Sequence, residues 1–153
     1  RTKGSFYHHM EGKGDLLVAC FNRSLGLLQE AQRGAIASQR RGLDQAYAAV
    51  ADLLRRQQTP AGPLLRSSAL MSVEPGPRDR MLGELAQVVT RFSGMVTDAI
   101  IDGSGRPCDP RVAGEMIMVT VNSAAQIGKW ARGVTPENVV DLYARLLFRG
   151  LFA

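Results

Sequence analysis

The N-terminal segment carries the densest set of side chains that could bind a polyanion. Within thirteen residues it offers hydroxyl, ammonium, phenol and imidazole groups around one glycine. The candidate contact set is Thr2, Lys3, Gly4, Ser5, Tyr7, His8, His9 and Lys13. Such groups can donate to base edges or to phosphate oxygens. The first 56 residues hold nine basic and five acidic residues, which also favours a polyanionic partner at this end.

The spacing of this segment resembles the motif of one family, the tetracycline repressor (TetR) family. The family pattern is Gly, any two, Tyr, any one, His, Phe, any two, Lys, any two, Leu. The matching residues here are Gly4, Tyr7, His9, Lys13 and Leu16. Met10 stands where the family has Phe, and Gly14 departs from the acidic or polar residue that often follows the Lys. The resemblance implies a ligand-responsive transcriptional regulator, expected to be a repressor, that binds a palindromic operator as a homodimer.

The resemblance makes this segment the recognition helix of a helix-turn-helix. Such a helix lies in the major groove with its N-terminal residues at base edges. Thr2, Lys3 and Ser5 are therefore expected to read bases, while Gly4 lets the backbone approach the DNA. The later members of the set, from Tyr7 to Lys13, would mostly hold phosphates and fix the register.

Metal binding and simple packing are other interpretations of this segment. His8 and His9 are neighbours and would point about 100° apart on a helix, so they cannot chelate one metal ion together. Tyr7 alone would be explained by packing, and only its spacing with the other matching residues favours DNA. For the whole chain, the alternative is a helical dimerisation or small-molecule-binding module that does not bind DNA.

The family has two further helices ahead of the recognition helix, and this sequence shows neither. We therefore expect residues 1–15 to be the remnant of a helix-turn-helix domain and residues 16–153 to form a ligand-binding and dimerisation domain. A recognition helix without its supporting helices cannot stay docked. The 153-residue chain by itself is thus expected to bind DNA poorly.

Apolar periodicity predicts an all-α fold with a TetR-like arrangement. Apolar residues recur at i, i+3, i+4 and i+7 in long stretches that Gly and Pro interrupt. The helices are predicted over about 2–9, from 13 onward, and over about 38–57, 64–72, 78–101, 110–129 and 136 to the C-terminal end. Asp109 and Thr135 each precede a proline and are predicted to be N-caps.

The last two predicted helices are apolar on more than one face. A helix buried on one side shows a single apolar stripe, so a second stripe indicates a second partner. At the C-terminus of a small domain that partner is expected to be another subunit. We predict a dimer in which the two helices form a four-helix bundle with the partner's pair. The predicted interface residues are Val112, Met116, Val119, Val139, Leu142 and Leu146.

The resemblance also implies a cavity for a small-molecule effector between the long helices. Its candidate lining residues are mostly apolar: Cys20, Phe21, Ser24, Met71, Phe92, Met95 and Met116. Each could equally be an ordinary core residue. No cluster of Arg, Lys or acidic residues on the inner stripes indicates a charged effector. Asn122 could orient a ligand or face the partner subunit.

Composition and the remaining motifs point to a cytoplasmic bacterial protein without a membrane partner. No apolar run approaches the roughly 20 residues of a membrane span, and no secretory signal is visible. The two cysteines form neither a disulfide framework nor a metal motif. The two histidines lie in the recognition segment, and no phosphate-binding glycine fingerprint follows a strand. We therefore expect no enzymatic activity, no cofactor and no metal.

Overall fold

The computed structural model describes residues 12–60 and 64–150, and every regular element within them is helical. In chain order these are α1 (Lys13–Ser38), α2 (Gly42–Gln57), a 3-10 helix (Ser67–Ser72), α3 (Pro75–Ile101), α4 (Pro110–Ser123), a 3-10 turn (Ala124–Gln126), α5 (Ile127–Trp130), a π-helical segment (Val140–Ala144) and α6 (Arg145–Arg149). The predicted all-α fold is confirmed. No helix in these residues is long and apolar enough to cross a membrane. The helix predicted over 2–9 lies outside the described residues.

Three predicted helix starts before α4 are wrong. The helix predicted over 64–72 is a 3-10 helix that begins at Ser67. α1 continues to Ser38, and α2 begins at Gly42 rather than at Ser38. α3 begins at Pro75 instead of at Arg78. Its two early prolines fit because the N–H groups of a first helical turn have no intrahelical partner to lose. The stretch that looked like a helix break is therefore the first turn of α3.

The C-terminal third is more divided than its periodicity indicates. The predicted N-cap Asp109 is confirmed, since its Oδ1 accepts a hydrogen bond from the Arg111 N–H at 2.9 Å. The helix that follows ends at Ser123 and passes into the 3-10 turn and α5. At Thr135, the backbone N–H donates to Asn138 Oδ1 at 2.8 Å and closes a turn. The single last helix predicted from 136 is instead the π-helical segment followed by α6.

α2 is the central helix of the core. It packs against α1, α3, α4 and the π-helical segment, and small or branched residues allow this close packing on several sides. Its buried apolar residues are Ala46, Ala49, Val50, Ala51, Leu53 and Leu54. The surrounding helices each bury one stripe against this core, with Phe21, Leu25 and Leu28 from α1, Val88, Phe92 and Met95 from α3, and Ile117 and Val121 from α4.

The N-terminus of α2 lies directly on the backbone of α3. A Cβ atom added at Gly42 would overlap the backbone nitrogen of Ala99 and the carbonyl oxygen of Met95. The loop after α3 supplies the cap of α2. The Gly42 N–H donates to Asp102 Oδ2 at 2.8 Å, and the Leu43 N–H donates to Ser104 Oγ at 3.3 Å. These bonds satisfy two N–H groups that a helix start leaves without a partner.

The C-terminal end of α2 is held by two glutamine side chains. The buried Gln57 donates from Nε2 to the Val121 carbonyl at 2.9 Å and accepts from the Leu64 N–H at 2.8 Å. Gln58 Nε2 donates to the Ala124 carbonyl at 2.9 Å. The two amides thus join α2 to the end of α4 and to the segment that follows α2.

Substitution of Gly42 tests the close approach of α2 to α3. Gly42→Ala is expected to lower the free energy of unfolding by about 1–3 kcal/mol or more, because the added methyl meets backbone rather than a movable side chain. Gly83→Ala is the matched control, since Gly83 is exposed within α3 and nothing lies within 4 Å of an added Cβ. It should raise stability by roughly 0.5–1 kcal/mol. Urea unfolding measures both, and a neutral Gly42→Ala would contradict the close packing.

The Asp102 cap predicts a pH-dependent contribution to stability. Hydrogen bonds from the Ser104 side chain and from the Gly42 and Ser104 N–H groups lower the pKa of Asp102 below its ordinary value of 3.8. A carboxylate with a lowered folded-state pKa stabilises the fold above its unfolded pKa, and this stabilisation is lost as the pH falls through the folded pKa. The free energy of unfolding of Asp102→Asn should therefore fall furthest below that of the wild type near neutral pH. This difference in free energy should become smaller in acid. Denaturant unfolding at several pH values measures it, with the exposed Asp98→Asn as the charge-matched control. A difference independent of pH would count against the cap.

Candidate functional site

A cavity of about 480 Å³ lies between the N-terminal half of α1 and the segment that leads into the 3-10 helix. Small-molecule sites commonly have volumes of about 300–1,000 Å³. We call this space the α1 cavity, and its lining residues are Cys20, Arg23, Ser24, Leu64, Leu65, Arg66, Ser68 and Ala69. Of the predicted effector residues, Cys20 and Ser24 line it.

Ser24 holds the wall of the α1 cavity together. Its Oγ accepts a hydrogen bond from the Leu65 N–H at 2.8 Å and donates to the Cys20 carbonyl at 3.0 Å. The residue is buried. These bonds explain why a polar residue stands on the otherwise apolar stripe of α1, because the hydroxyl ties the segment to the helix.

Two arginines also line the α1 cavity, although no cluster of charged residues on the inner stripes of the predicted helices indicated them. Arg23 comes from α1 and Arg66 from the segment before the 3-10 helix. The Arg66 guanidinium lies against the side-chain amide of Gln126, whose oxygen accepts from it when the amide is oriented to do so. Arg23 could have been found from its position three residues after Cys20, which puts the two on one helix face. Arg66 lies in a stretch without periodicity, so no sequence signal placed it here.

The other predicted effector residues lie elsewhere. Phe21, Phe92 and Met95 are buried in the core, which is the alternative that the sequence left open. Met71 is 72% exposed on the 3-10 helix, so its placement in a cavity is corrected. Met116 lies on an exposed face of α4 and does not line the α1 cavity.

That exposed face of α4 is matched by exposed apolar residues on the π-helical segment and α6. Five large apolar side chains on these three elements are between 51% and 65% exposed: Val112, Met116, Val119, Leu142 and Leu146. A second cavity of about 520 Å³ is lined by Met116 and Thr120 from α4, by Tyr143 from the π-helical segment and by Leu146 from α6. The three elements therefore border one groove, and we call the five residues the apolar face.

One predicted interface residue needs correction. Val139 is completely buried within the chain's own core and has no surface to offer a partner. The sequence could not separate it from Leu142, because apolar residues on all sides of a helix do not show which side is buried. Asn122 is half-buried and lines a further cavity together with Arg66.

Of the candidate contact set, the structure describes Lys13. It is exposed and is the first residue of α1. The other members, Thr2 to His9, lie outside the described residues. Cys20 follows Lys13 by seven residues in one continuous helix, which corresponds to about 10 Å along its axis. The α1 cavity thus adjoins the same helix that begins at Lys13.

Comparison by sequence finds no match, either among protein-family models or among curated proteins. Comparison by structure finds similar proteins. The chain is similar to AibR solved in complex with isovaleryl coenzyme A and operator DNA, with a TM-score of 0.76 and 19% identity over 94% of this chain and 78% of the other. It is similar to a TetR/AcrR regulator from Thermobifida fusca YX-ER1, with a TM-score of 0.72 and 18% identity over 99% of this chain and 81% of the other.

A TetR regulator from Streptomyces coelicolor A3 gives a TM-score of 0.73 and 25% identity over 99% of this chain and 77% of the other. At these identities the likeness concerns the fold, and it extends over nearly all of the chain. This structural likeness agrees with the TetR-like helical arrangement that the sequence resemblance implied. The chain has the fold of the TetR/AcrR family of transcriptional regulators.

Proposed function

We propose that this protein is a ligand-responsive transcriptional repressor that binds a palindromic operator as a homodimer. The observation that carries the proposal is the likeness to TetR/AcrR regulators over 94% to 99% of the chain. Among these neighbours, AibR has been solved with operator DNA and an acyl coenzyme A. The N-terminal motif, from Gly4 to Leu16, supports the same function independently of the fold.

The position of the α1 cavity supports a response to ligand. A ligand shifts a conformational equilibrium only by the difference between its affinities for the two states. Here one wall of the cavity is α1 itself, and the other is a separate segment that Ser24 joins to it. A ligand between the two would favour one placement of α1 over another, and with it one placement of the recognition helix.

The apolar face supports dimerisation. Single exposed apolar residues are normal on a protein surface, whereas a contiguous group on two adjoining helices indicates an interface. In a two-fold dimer the same face contacts its own copy, so one apolar patch is sufficient. The proposed interface should bury well over ~1,000 Å² in total.

Leu146→Glu should convert the homodimer into a monomer, because it places a charge in the middle of an apolar seam. Ile36→Glu is the matched control. Ile36 is 49% exposed against 51% for Leu146, but it lies on α1 outside the apolar face. Light scattering coupled to size-exclusion chromatography gives the mass of each variant. A dimer mass for Leu146→Glu, or loss of the dimer in Ile36→Glu as well, would contradict the proposed interface.

Lys3→Ala and Lys13→Ala should weaken DNA binding in different ways. Loss of a base contact costs about 1–3 kcal/mol and relaxes specificity at one position, so Lys3→Ala should flatten the preference at one base pair in each half-site. Loss of a phosphate contact weakens all sequences alike, so Lys13→Ala should lower the affinities for operator and scrambled DNA together and reduce the salt slope by about 1.

Mobility-shift titrations of the full-length gene product on its own promoter, at several salt concentrations, measure both effects. If Lys3→Ala lowers the two affinities in parallel, base reading belongs to Thr2, Ser5 or other residues. If the full-length product binds neither DNA, the chain is a helical dimerisation or ligand-binding module, and the proposed function is wrong.

A further inference from the structure

A small pocket lies where the N-terminal end of α2 meets α6. Its volume is about 240 Å³, and its lining residues are Leu43, Asp44, Tyr47, Arg145, Phe148 and Arg149. We call this space the aromatic pocket. It shares no lining residue with the α1 cavity. α2 begins after the C-terminal end of α1, whereas the α1 cavity lies beside the N-terminal half of that helix. The two spaces are therefore separate.

Two aromatic rings form a corner of this pocket. The ring centroids of Tyr47 and Phe148 lie 5.4 Å apart, and the two ring planes meet at 73°. Both side chains are half-buried and pack against the core, which holds the corner in place. Aromatic rings prefer edge-to-face or offset-stacked contacts. Because the two planes are nearly perpendicular, a third ring can stack on one of them and meet the other edge-to-face. The corner therefore favours a flat, aromatic ligand.

The charged groups of the aromatic pocket leave one positive charge without a partner. The Asp44 carboxylate accepts hydrogen bonds from Arg41 at 2.7 Å and 3.2 Å. The Arg145 guanidinium lies 3.0 Å from Asp141 Oδ1. Arg149 forms no ion pair in the part of the chain that the structure describes. The unbalanced charge at this pocket is therefore the guanidinium of Arg149.

The position of Arg149 indicates the kind of anion that fits. Arg149 directly follows Phe148 in α6, and its side chain is exposed. A guanidinium has five N–H donors in a planar fork that matches the geometry of a carboxylate. The pocket is smaller than the roughly 300–1,000 Å³ of most small-molecule sites, so a ligand with one ring fits better than a larger one.

We propose that the aromatic pocket binds a small aromatic carboxylate, with its ring in the corner of Tyr47 and Phe148 and its carboxylate on Arg149. This site goes beyond the proposed function, because it is separate from the α1 cavity and its occupancy requires no DNA. The ring contacts select an aromatic ligand, and the unpaired guanidinium selects an anion among aromatic ligands.

Tyr47 provides a direct reporter of occupancy. The chain has three tyrosines, and 3-fluorotyrosine at these positions gives one fluorine NMR resonance for each. Tyr47 lines the aromatic pocket, Tyr143 lines the second cavity beside the apolar face, and Tyr7 lies outside the described residues. Replacement of each tyrosine by phenylalanine in turn assigns the three resonances. The other two tyrosines are therefore internal controls.

The probes are benzoate, the neutral benzamide and acetate. Benzoate should shift the Tyr47 resonance in a saturable manner and leave the resonances of Tyr143 and Tyr7 unchanged. Benzamide has the same ring without the charge, so it should bind at least about tenfold more weakly. Acetate has the charge without the ring, so it should give no saturable shift over the same concentration range.

Charge removal tests the role of the unpaired arginine. Arg149→Gln should lower the affinity for benzoate about tenfold, while Arg149→Lys should retain part of it. Arg145→Gln should lower the affinity less, because Asp141 already compensates that charge. Arg91→Gln is the matched control, since Arg91 is exposed on α3 and does not line the pocket. Circular dichroism melting verifies that each variant is folded.

Four results would overturn the proposal: equal affinities for benzoate and benzamide, no shift at Tyr47, the same shift at all three tyrosines, or an unchanged affinity for benzoate in Arg149→Gln. None of these results bears on promoter binding, and a failure of promoter binding would leave the aromatic pocket as proposed. The two proposals therefore fail separately.

Discussion

The contact between the start of α2 and the backbone of α3 is the constraint on which the rest of the structure depends. Only a residue without a side chain fits at Gly42, since backbone atoms of α3 occupy the position of a Cβ. This approach brings the first N–H groups of α2 within reach of Asp102 and Ser104, so packing and capping are satisfied by the same loop. With its start fixed, α2 presents buried residues to α1, α3 and α4 together.

The C-terminal end of α2 connects the core to the candidate site. Gln57 is buried, and its amide would be costly to bury without partners. It has partners on both sides, the Val121 carbonyl of α4 and the Leu64 N–H. The second of these bonds fixes the beginning of the segment that forms one wall of the α1 cavity. The cavity is therefore a consequence of how the core helix ends.

Sequence periodicity predicted the fold well because long helices repeat their apolar residues many times. It failed where a single contact decides the outcome. Pro75 and Pro77 predict a helix break, because a proline within a helix and a proline in its first turn have the same local sequence signal. Val139 and Leu142 have similar polarity, and only tertiary packing separates the buried one from the exposed one. Arg66 joined the site through a segment without regular periodicity, which no pattern could place.

The α1 cavity lies close to the point where the N-terminal end of α1 leaves the core. The buried stripe of the helix begins at Phe21, whereas residues 13–16 are exposed. Two polar anchors of the helix are the bond between Ser24 and the Leu65 N–H and the bond from Gln32 Nε2 to the Val88 carbonyl at 2.8 Å. The first turn of the helix therefore extends beyond the core, whereas Leu17 and Val18 in the second turn pack against it. Because a rotation of a helix at one point displaces its end, a group bound beside Cys20 would move Lys13 along with the rest of the first two turns of α1. In the proposed regulator, the effector and the DNA would be coupled through this one helix and would not require a rearrangement of the core around α2.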